Sequence, residues 1–310
     1  MSELRSALEE YLTLRRALGF KLISTGGLLH SFVQFAENEG ASFITTPLVL
    51  RWATQPKCQP VQWANRLGIV RRFARYRSSA DPRTEIPPEG ILPHRRHRKA
   101  PYIYKNDEIA RLIQAATELS SPMGLRATTY STLFGLLSVT GMRISEPIAL
   151  DRDDVDLTEG ILTVRRTKFG KSRLVPVHPS TQGVLRQYAS LRDRIFPRPE
   201  TPSFFISERG RRLTTGSARW TFIKLSHQIG LRGPDDHRGP RLHDLRHGFV
   251  IRTLLRLYRA GADVERHLPA LATYLGHGHV ADTYWYLSAT PELLRLITSR
   301  LDAREQGSSS

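Results

Sequence analysis

The sequence predicts a two-domain, mainly α-helical protein carrying one small antiparallel β-sheet. Apolar residues recur at helical spacing over most of the chain. One pair of short alternating segments, Ile161 to Arg166 and Arg173 to Val177, flanks a turn at Phe169-Gly170-Lys171. Between the two helical stretches, Pro82, Pro87, Pro88, Pro93 and Pro101 exclude a continuous helix.

In the first domain, residues 1–80, Leu4, Leu8, Tyr11, Leu12, Leu14 and Leu18 form a helical stripe that Gly19 ends. Leu28, Leu29, Phe32, Val33, Phe35 and Ala36 repeat the stripe between Ser24 and Glu39, with Gly40 as the stop. Thr46-Pro47 opens a short third helix, since proline suits the first turn. Val61 to Ser78 forms a fourth, and combines Arg66, Arg71, Arg72, Arg75 and Arg77 with Trp63, Phe73 and Tyr76. That helix is either a solvated basic face over an aromatic core or a helix that tracks a DNA groove or backbone. The charge of the whole chain, with 46 Lys and Arg against 29 Asp and Glu, favours the second reading.

Residues 81–101 read as a basic, proline-rich linker lying along DNA, with Arg95, Arg96, Arg98 and Lys99 in the run H-R-R-H-R-K. The second domain, residues 102–302, opens on a helix capped by Asn106 and carrying Asp107 and Glu108 in its first turn. A buried helix over 124–138 and the β-meander follow. Further helices are expected at Thr181–Arg194, Thr215–Gln228, His243–Arg259, Asp263–Leu275 and Pro291–Leu301. Residues 303–310 read as a tail.

Composition narrows the function. The 310 residues hold 46 Lys and Arg against 29 Asp and Glu, a formal net charge of +17. Such excess calls for a polyanionic partner, and nucleic acid is the usual one. The charge is spread over both halves, with 16 basic and 8 acidic residues in the first hundred, whereas a membrane-surface protein concentrates it on one amphipathic helix. Cys58 is the only cysteine, which excludes an intrachain disulfide and a thiolate metal cluster. No signal peptide or run of about 18 apolar residues occurs, so a cytoplasmic protein with no membrane partner is expected.

Arg143, Lys168, His243, Arg246, His277 and Tyr286 form one chemical set within four motifs: T-G-M-R-I-S-E from Thr140, R-L-H-D-L-R-H-G from Arg241, Y-L-G-H from Tyr274 and T-Y-W-Y-L from Thr283. Arg143 at a tight turn suits two phosphate oxygens at once, or a structural ion pair; Glu146 orients it in either case. His243 and Arg246 stand three apart, on one helical face. His243 and His247 also mimic a zinc pair, but the glutamate of H-E-x-x-H is absent, and His247 reads as a supporting histidine. Gly170-Lys171-Ser172 resembles the end of a phosphate loop, yet Arg165 stands where its first glycine belongs. Two arginines and histidines around a phenol can support tyrosine attack on a phosphodiester, and no acidic cluster of two-metal type accompanies them.

Together these motifs resemble the tyrosine recombinase/integrase family, the relatives of Xer, Cre and lambda integrase, most strongly over residues 102–300. The resemblance implies an N-terminal helical, SAM-like core-binding domain and a C-terminal tyrosine recombinase catalytic domain. It makes Arg143, Arg246 and His277 the donors to the scissile phosphate. Tyr286, nine residues beyond His277, becomes the nucleophile, with Tyr284 as the rival. His243 would take the phenolic proton or donate to phosphate. Lys168 matches the hairpin lysine that protonates the leaving 5′ oxygen, with Lys171 as its competitor. Lys171 and Arg173, beside the basic residues of the fourth helix and linker, are the expected DNA contacts.

The resemblance further implies double-stranded DNA as partner, no cofactor, and a homo-tetramer on two DNA sites or an assembly with a related recombinase. A type IB topoisomerase-like enzyme and a non-cutting accessory protein are the alternatives. Gly248-Phe249-Val250 departs from the T-F-A usual after H-x-x-R-H, which bears on helix packing more than on chemistry.

Overall fold

A computed structural model describes residues 2–93, 101–165, 172–236, 239–288 and 290–307. The chain divides into two compact units, Met1–Lys99 and Ala100–Ser310.

The first unit is built of α1 (Glu3–Ala17), α2 (Ile23–Asn38), α3 (Thr46–Thr54) and α4 (Pro60–Arg77). Ser2 caps α1 by accepting the Arg5 N–H at 3.2 Å, and Thr45, one residue before the expected start, caps α3. The apolar stripes close on one core that includes Leu8, Leu12, Leu29, Phe32, Trp52, Val70 and Phe73. Phe32 and Trp52 meet edge to face, with centroids 5.4 Å apart. Residues 81–93, read from the sequence as part of a linker, are tied to this unit. Glu85 donates its N–H to the Ile44 carbonyl, and Arg71 donates to the carbonyl oxygens of Pro87 and Pro88. The basic residues Arg95, Arg96, Arg98 and Lys99 lie outside the described residues.

The second unit begins with α5 (Asn106–Thr117), α6 (Leu125–Thr140) and α7 (Ser145–Ala149). Asn106 is not the cap of α5. It is already helical, and Glu108 reaches back instead to accept the Lys105 N–H at 2.8 Å. The sheet is β1 (Val155–Asp156), β2 (Ile161–Val164) and β3 (Arg173–Pro176), antiparallel in that order, with Leu162 opposite Val175 and Val164 opposite Arg173. Residues 166–171 of the hairpin, with Lys168 and Lys171, lie outside the described residues.

After the sheet come α8 (Pro179–Ile195), α9 (Thr215–Gln228), α10 (Leu242–Arg259), α11 (Val264–Leu275), α12 (Ala281–Tyr284), a 3-10 turn over Trp285–Ser288, and α13 (Pro291–Gly307). The last helix thus runs past the expected Leu301 into the segment read as tail. Among the described residues no helix is long and apolar enough to cross a membrane.

Two apolar clusters organise this unit, and α10 joins them. Its first turn contributes Leu242 and Leu245 to a cluster around Leu133, Phe134, Tyr188, Phe205 and Phe222. Further along, Val250, Ile251 and Leu254 pack with Leu268, Leu275, Tyr286 and Leu293. The stretch from His243 to Phe249 is therefore held at both ends. Leu293, at the start of α13, is fully buried here, so this part of the helix covers its own core. The departure Gly248-Phe249-Val250 also packs well: Val250 is buried, and Phe249 stacks on Tyr274 with centroids 5.7 Å apart.

Candidate active site

The site is built around the turn that ends α11. Gly276 takes a left-handed conformation, φ 66°, and stops the helix as a glycine cap does. The carbonyl groups left without helical partners point at two arginines. Leu275 O accepts from Arg246 Nη2 at 2.8 Å and from Arg143 Nη1 at 3.4 Å, while Gly276 O accepts from Arg143 Nη2 at 3.1 Å. Two guanidinium groups separated by a hundred residues of chain thus meet on one oxygen. His277, the next residue, is half-buried beside them.

Each arginine has its own support. Arg246 is 2% exposed and also donates to Gly141 O at 2.9 Å. Burial, and then the charge of Arg143, lower its pKa to about 10, which leaves it charged at neutral pH. Gly141 ends α6 at φ 62°, and a Cβ there would lie 2.5 Å from Phe249 Cδ1. The glycine of T-G-M-R therefore serves both the turn and the close approach of α10. Arg143 bonds Glu146 twice, through its N–H at 2.8 Å and through Nη1 at 3.0 Å. Burial alone would raise the Glu146 carboxyl, but bonding and charge from Arg173 and Arg143 outweigh it and hold the pKa below the usual range. Arg173 reaches the same carboxylate and also donates to Tyr274 O at 2.7 Å.

The histidines differ in setting. Asp244 accepts the Arg241 N–H at 2.8 Å and starts α10, which places His243 in the first turn. His243 is exposed at the rim; partial desolvation, then the nearby Arg246, lower its pKa. His277 Nδ1 lies 2.7 Å from Thr283 Oγ1, a fully buried hydroxyl. Desolvation, followed by the charges of Arg246 and Arg143, takes His277 down to about 4, so it is neutral at pH 7.

Tyr286 is 3% exposed and sits inside the α10–α13 cluster, whereas Tyr284 is 50% exposed. The Tyr286 hydroxyl lies 2.9 Å from Nδ1 of His247, and its ring is stacked parallel to His277 at 6.5 Å. The sequence marks His247 as a supporting histidine. Its contact with the phenol joins residues 39 apart and has no local signature. Helical periodicity does place His247 one turn above His243, and their rings meet edge to face at 4.6 Å.

Arg143, His243, Arg246, His277 and Tyr286 thus come from the α6–α7 turn, α10, the α11–α12 turn and the 3-10 turn after α12 into one region of the second unit. Several arginines expected to contact DNA bond within the protein. Arg66 donates to Trp52 O at 3.0 Å and covers the indole ring at 3.7 Å. Arg77 pairs with Glu3 and Asp81, each at 3.5 Å. Arg71 holds Pro87 and Pro88, and Arg173 holds Glu146. Arg72 and Arg75 are exposed on α4.

Comparison with known proteins gives this arrangement a context. Residues 103–292 match the sequence model of the phage integrase family. Integrase/recombinase y4rB of Sinorhizobium fredii (strain NBRC 101917 / NGR234) is 51% identical over 309 residues, covering 98% of each chain. Among solved structures, the Tn1549 transposon integrase in complex with transposon right end DNA gives a TM-score of 0.66 at 15% identity, covering 96% of this chain and 99% of that one. A lambda integrase tetramer bound to a Holliday junction gives 0.61 at 19% identity, covering 91% and 76%. The two structural likenesses concern the fold.

Proposed function

The chain belongs to the phage integrase family of tyrosine recombinases, and from that premise we propose that it is a site-specific recombinase that cuts and rejoins DNA through a 3′-phosphotyrosine, without metal or ATP. The observation that carries the reading is the meeting of Arg143 and Arg246 on the Leu275 carbonyl, next to His277 and beside a buried Tyr286.

A phenol with an ordinary pKa near 10 is a weak nucleophile, and a dense positive field is what makes its attack on phosphorus feasible. In this reading the Tyr286 oxygen bonds to phosphorus, and the phosphorus bond to the 5′ oxygen breaks. His243 takes the phenolic proton or donates to the phosphate, and Lys168 gives a proton to the departing 5′ oxygen. Arg143, Arg246 and His277 donate to the nonbridging oxygens as charge builds on them. Donors of this kind are worth about 3 kcal/mol each in other enzymes. The phosphotyrosine keeps the energy of the broken bond, so a 5′ hydroxyl from another strand can reverse the step.

Exposed Arg72 and Arg75, with the basic residues near 95–99 and Lys171, would contact the DNA backbone. A homo-tetramer on two sites is the working assembly; it draws on the lambda integrase tetramer. Integration, excision or transposition of a mobile element is the biological role, in line with the integrase naming of the Sinorhizobium relative and with the transposon integrase fold. A cytoplasmic location goes with that role.

Covalent trapping tests the chemistry. The protein is mixed, in EDTA, with nicked duplexes from the DNA flanking its own gene and run on a denaturing gel. A shifted band is expected for wild type and Tyr284→Phe and not for Tyr286→Phe. Adduct that survives in Tyr286→Phe and disappears in Tyr284→Phe would reassign the nucleophile. Tight binding without adduct on the same DNA would make the protein a non-cutting accessory factor.

A further inference from the structure

We propose that His247 is a positioning residue for the nucleophile: its Nδ1 takes the hydrogen bond of the Tyr286 hydroxyl and fixes the direction in which the oxygen is presented. This inference rests on Tyr286 being the attacking group. The distance is 2.9 Å, and the two rings lie with centroids 5.4 Å apart. The imidazole is itself held edge-on between His243, at 4.6 Å, and Trp285, at 5.6 Å, so it cannot swing without displacing a neighbour. His247 directly follows Arg246 on α10, so one turn of helix places both a phosphate donor and the phenol.

The electrostatic setting agrees with this geometry. Desolvation, then the neighbouring His243, bring His247 down to about 4, so at neutral pH the ring has no proton to spare for both nitrogens. Nδ1 can then accept the phenolic O–H, which a protonated ring could not do. A base this weak does not keep the proton. Its contribution is orientation, and a displacement of about 1 Å in an attacking atom can cost on the order of a hundredfold in rate.

Three variants and two substrates test the assignment. His247→Ala is expected to slow single-turnover adduct formation on the nicked flanking duplexes by roughly ten- to a hundredfold, with DNA binding unchanged. His247→Asn puts an amide oxygen near the place of Nδ1 and is expected to recover to within about threefold of wild type. A duplex with a bridging 5′-phosphorothiolate has a leaving group that needs no proton. The His247→Ala defect should persist on it, because the defect lies on the nucleophile's side.

Equal or faster cleavage by His247→Ala, or a defect that vanishes on the phosphorothiolate, would overturn the proposal. Tyr286→Phe separates the two levels: if that variant still cleaves, the nucleophile was misassigned, and if it is dead while His247→Ala is normal, only the positioning role fails. A DNA-free measurement stands beside these. In chain labelled with 15N-histidine, Tyr286→Phe should shift the His247 Nδ1 resonance, identified by its loss in His247→Asn, and an unmoved resonance would refute the contact.

Discussion

Arg173 closes on Glu146 with both terminal nitrogens, Nη1 to Oε1 at 3.0 Å and Nη2 to Oε2 at 2.8 Å. The side chains are only 9% and 5% exposed, so each is the other's main compensation for leaving water. Removing one member of such a pair costs about 3–5 kcal/mol. Arg173→Ala should therefore lower the urea midpoint by that order. Arg75→Ala, on the exposed face of α4, should unfold like wild type and reduce the salt slope of DNA binding by about one. If Arg173→Ala unfolds normally and loses only DNA affinity, then Arg173 contacts DNA.

Thr283 should matter through His277. Its buried hydroxyl lies 2.7 Å from Nδ1 and fixes the ring orientation, so Thr283→Val removes a partner and changes little volume. A hydrogen bond of this kind is worth about 1 kcal/mol, so adduct formation should slow roughly two- to tenfold, with Thr283→Ser close to wild type. A Thr283→Val enzyme that cleaves at full rate would show that His277 is oriented by something else.

Acid should destabilise the fold well before carboxylates titrate. His247 and His277 are both brought to about 4 in the folded chain, against 6.5 unfolded. Between those values the unfolded chain binds protons that the native one refuses, so stability is full above about pH 6.5 and falls as pH drops toward 4. Melting temperatures at pH 7, 6 and 5 should decline in that order, and less steeply in His247→Asn. A flat profile would mean that these rings are solvated.

Gly141 and Gly261 offer a matched comparison. Both have positive φ, 62° and 72°, but only at Gly141 would a Cβ strike a neighbour, Phe249 Cδ1 at 2.5 Å. Gly261→Ala should cost about 1 kcal/mol from backbone strain, and Gly141→Ala clearly more, because α10 must move as well. Equal losses in thermal unfolding would remove the steric argument.

The helices of both units could be read locally because their signals are local: the Leu8–Leu12 stripe, the stop at Gly40, the proline at the start of α3. The α5 cap was misplaced by one residue, since Asn106 and Glu108 are both good terminal residues and only the fold shows which one reaches the free N–H. Motif spacing put Arg143, Arg246, His277 and Tyr286 on one short list. What the sequence could not reveal is which cations are already engaged. Arg66 is engaged by Trp52 and Arg173 by Glu146, partners 14 and 27 residues away, and charge counts do not distinguish those from Arg75. The link between His247 and Tyr286 was hidden for the same reason.

Arg246 brings a separate consequence. It is buried, its pKa is pulled down, and its bonds run to the carbonyl oxygens of Gly141 and Leu275; among the described residues its charge is met by these dipoles, with the Glu146 carboxylate acting without a direct bond. In the proposed reading, a cation kept that way weakens the empty fold and strengthens the one holding phosphate. Heat resistance and turnover are therefore opposed at this residue. Selection for thermal tolerance alone would act against the buried charge at 246, and the proposed phosphate donor would be lost with it.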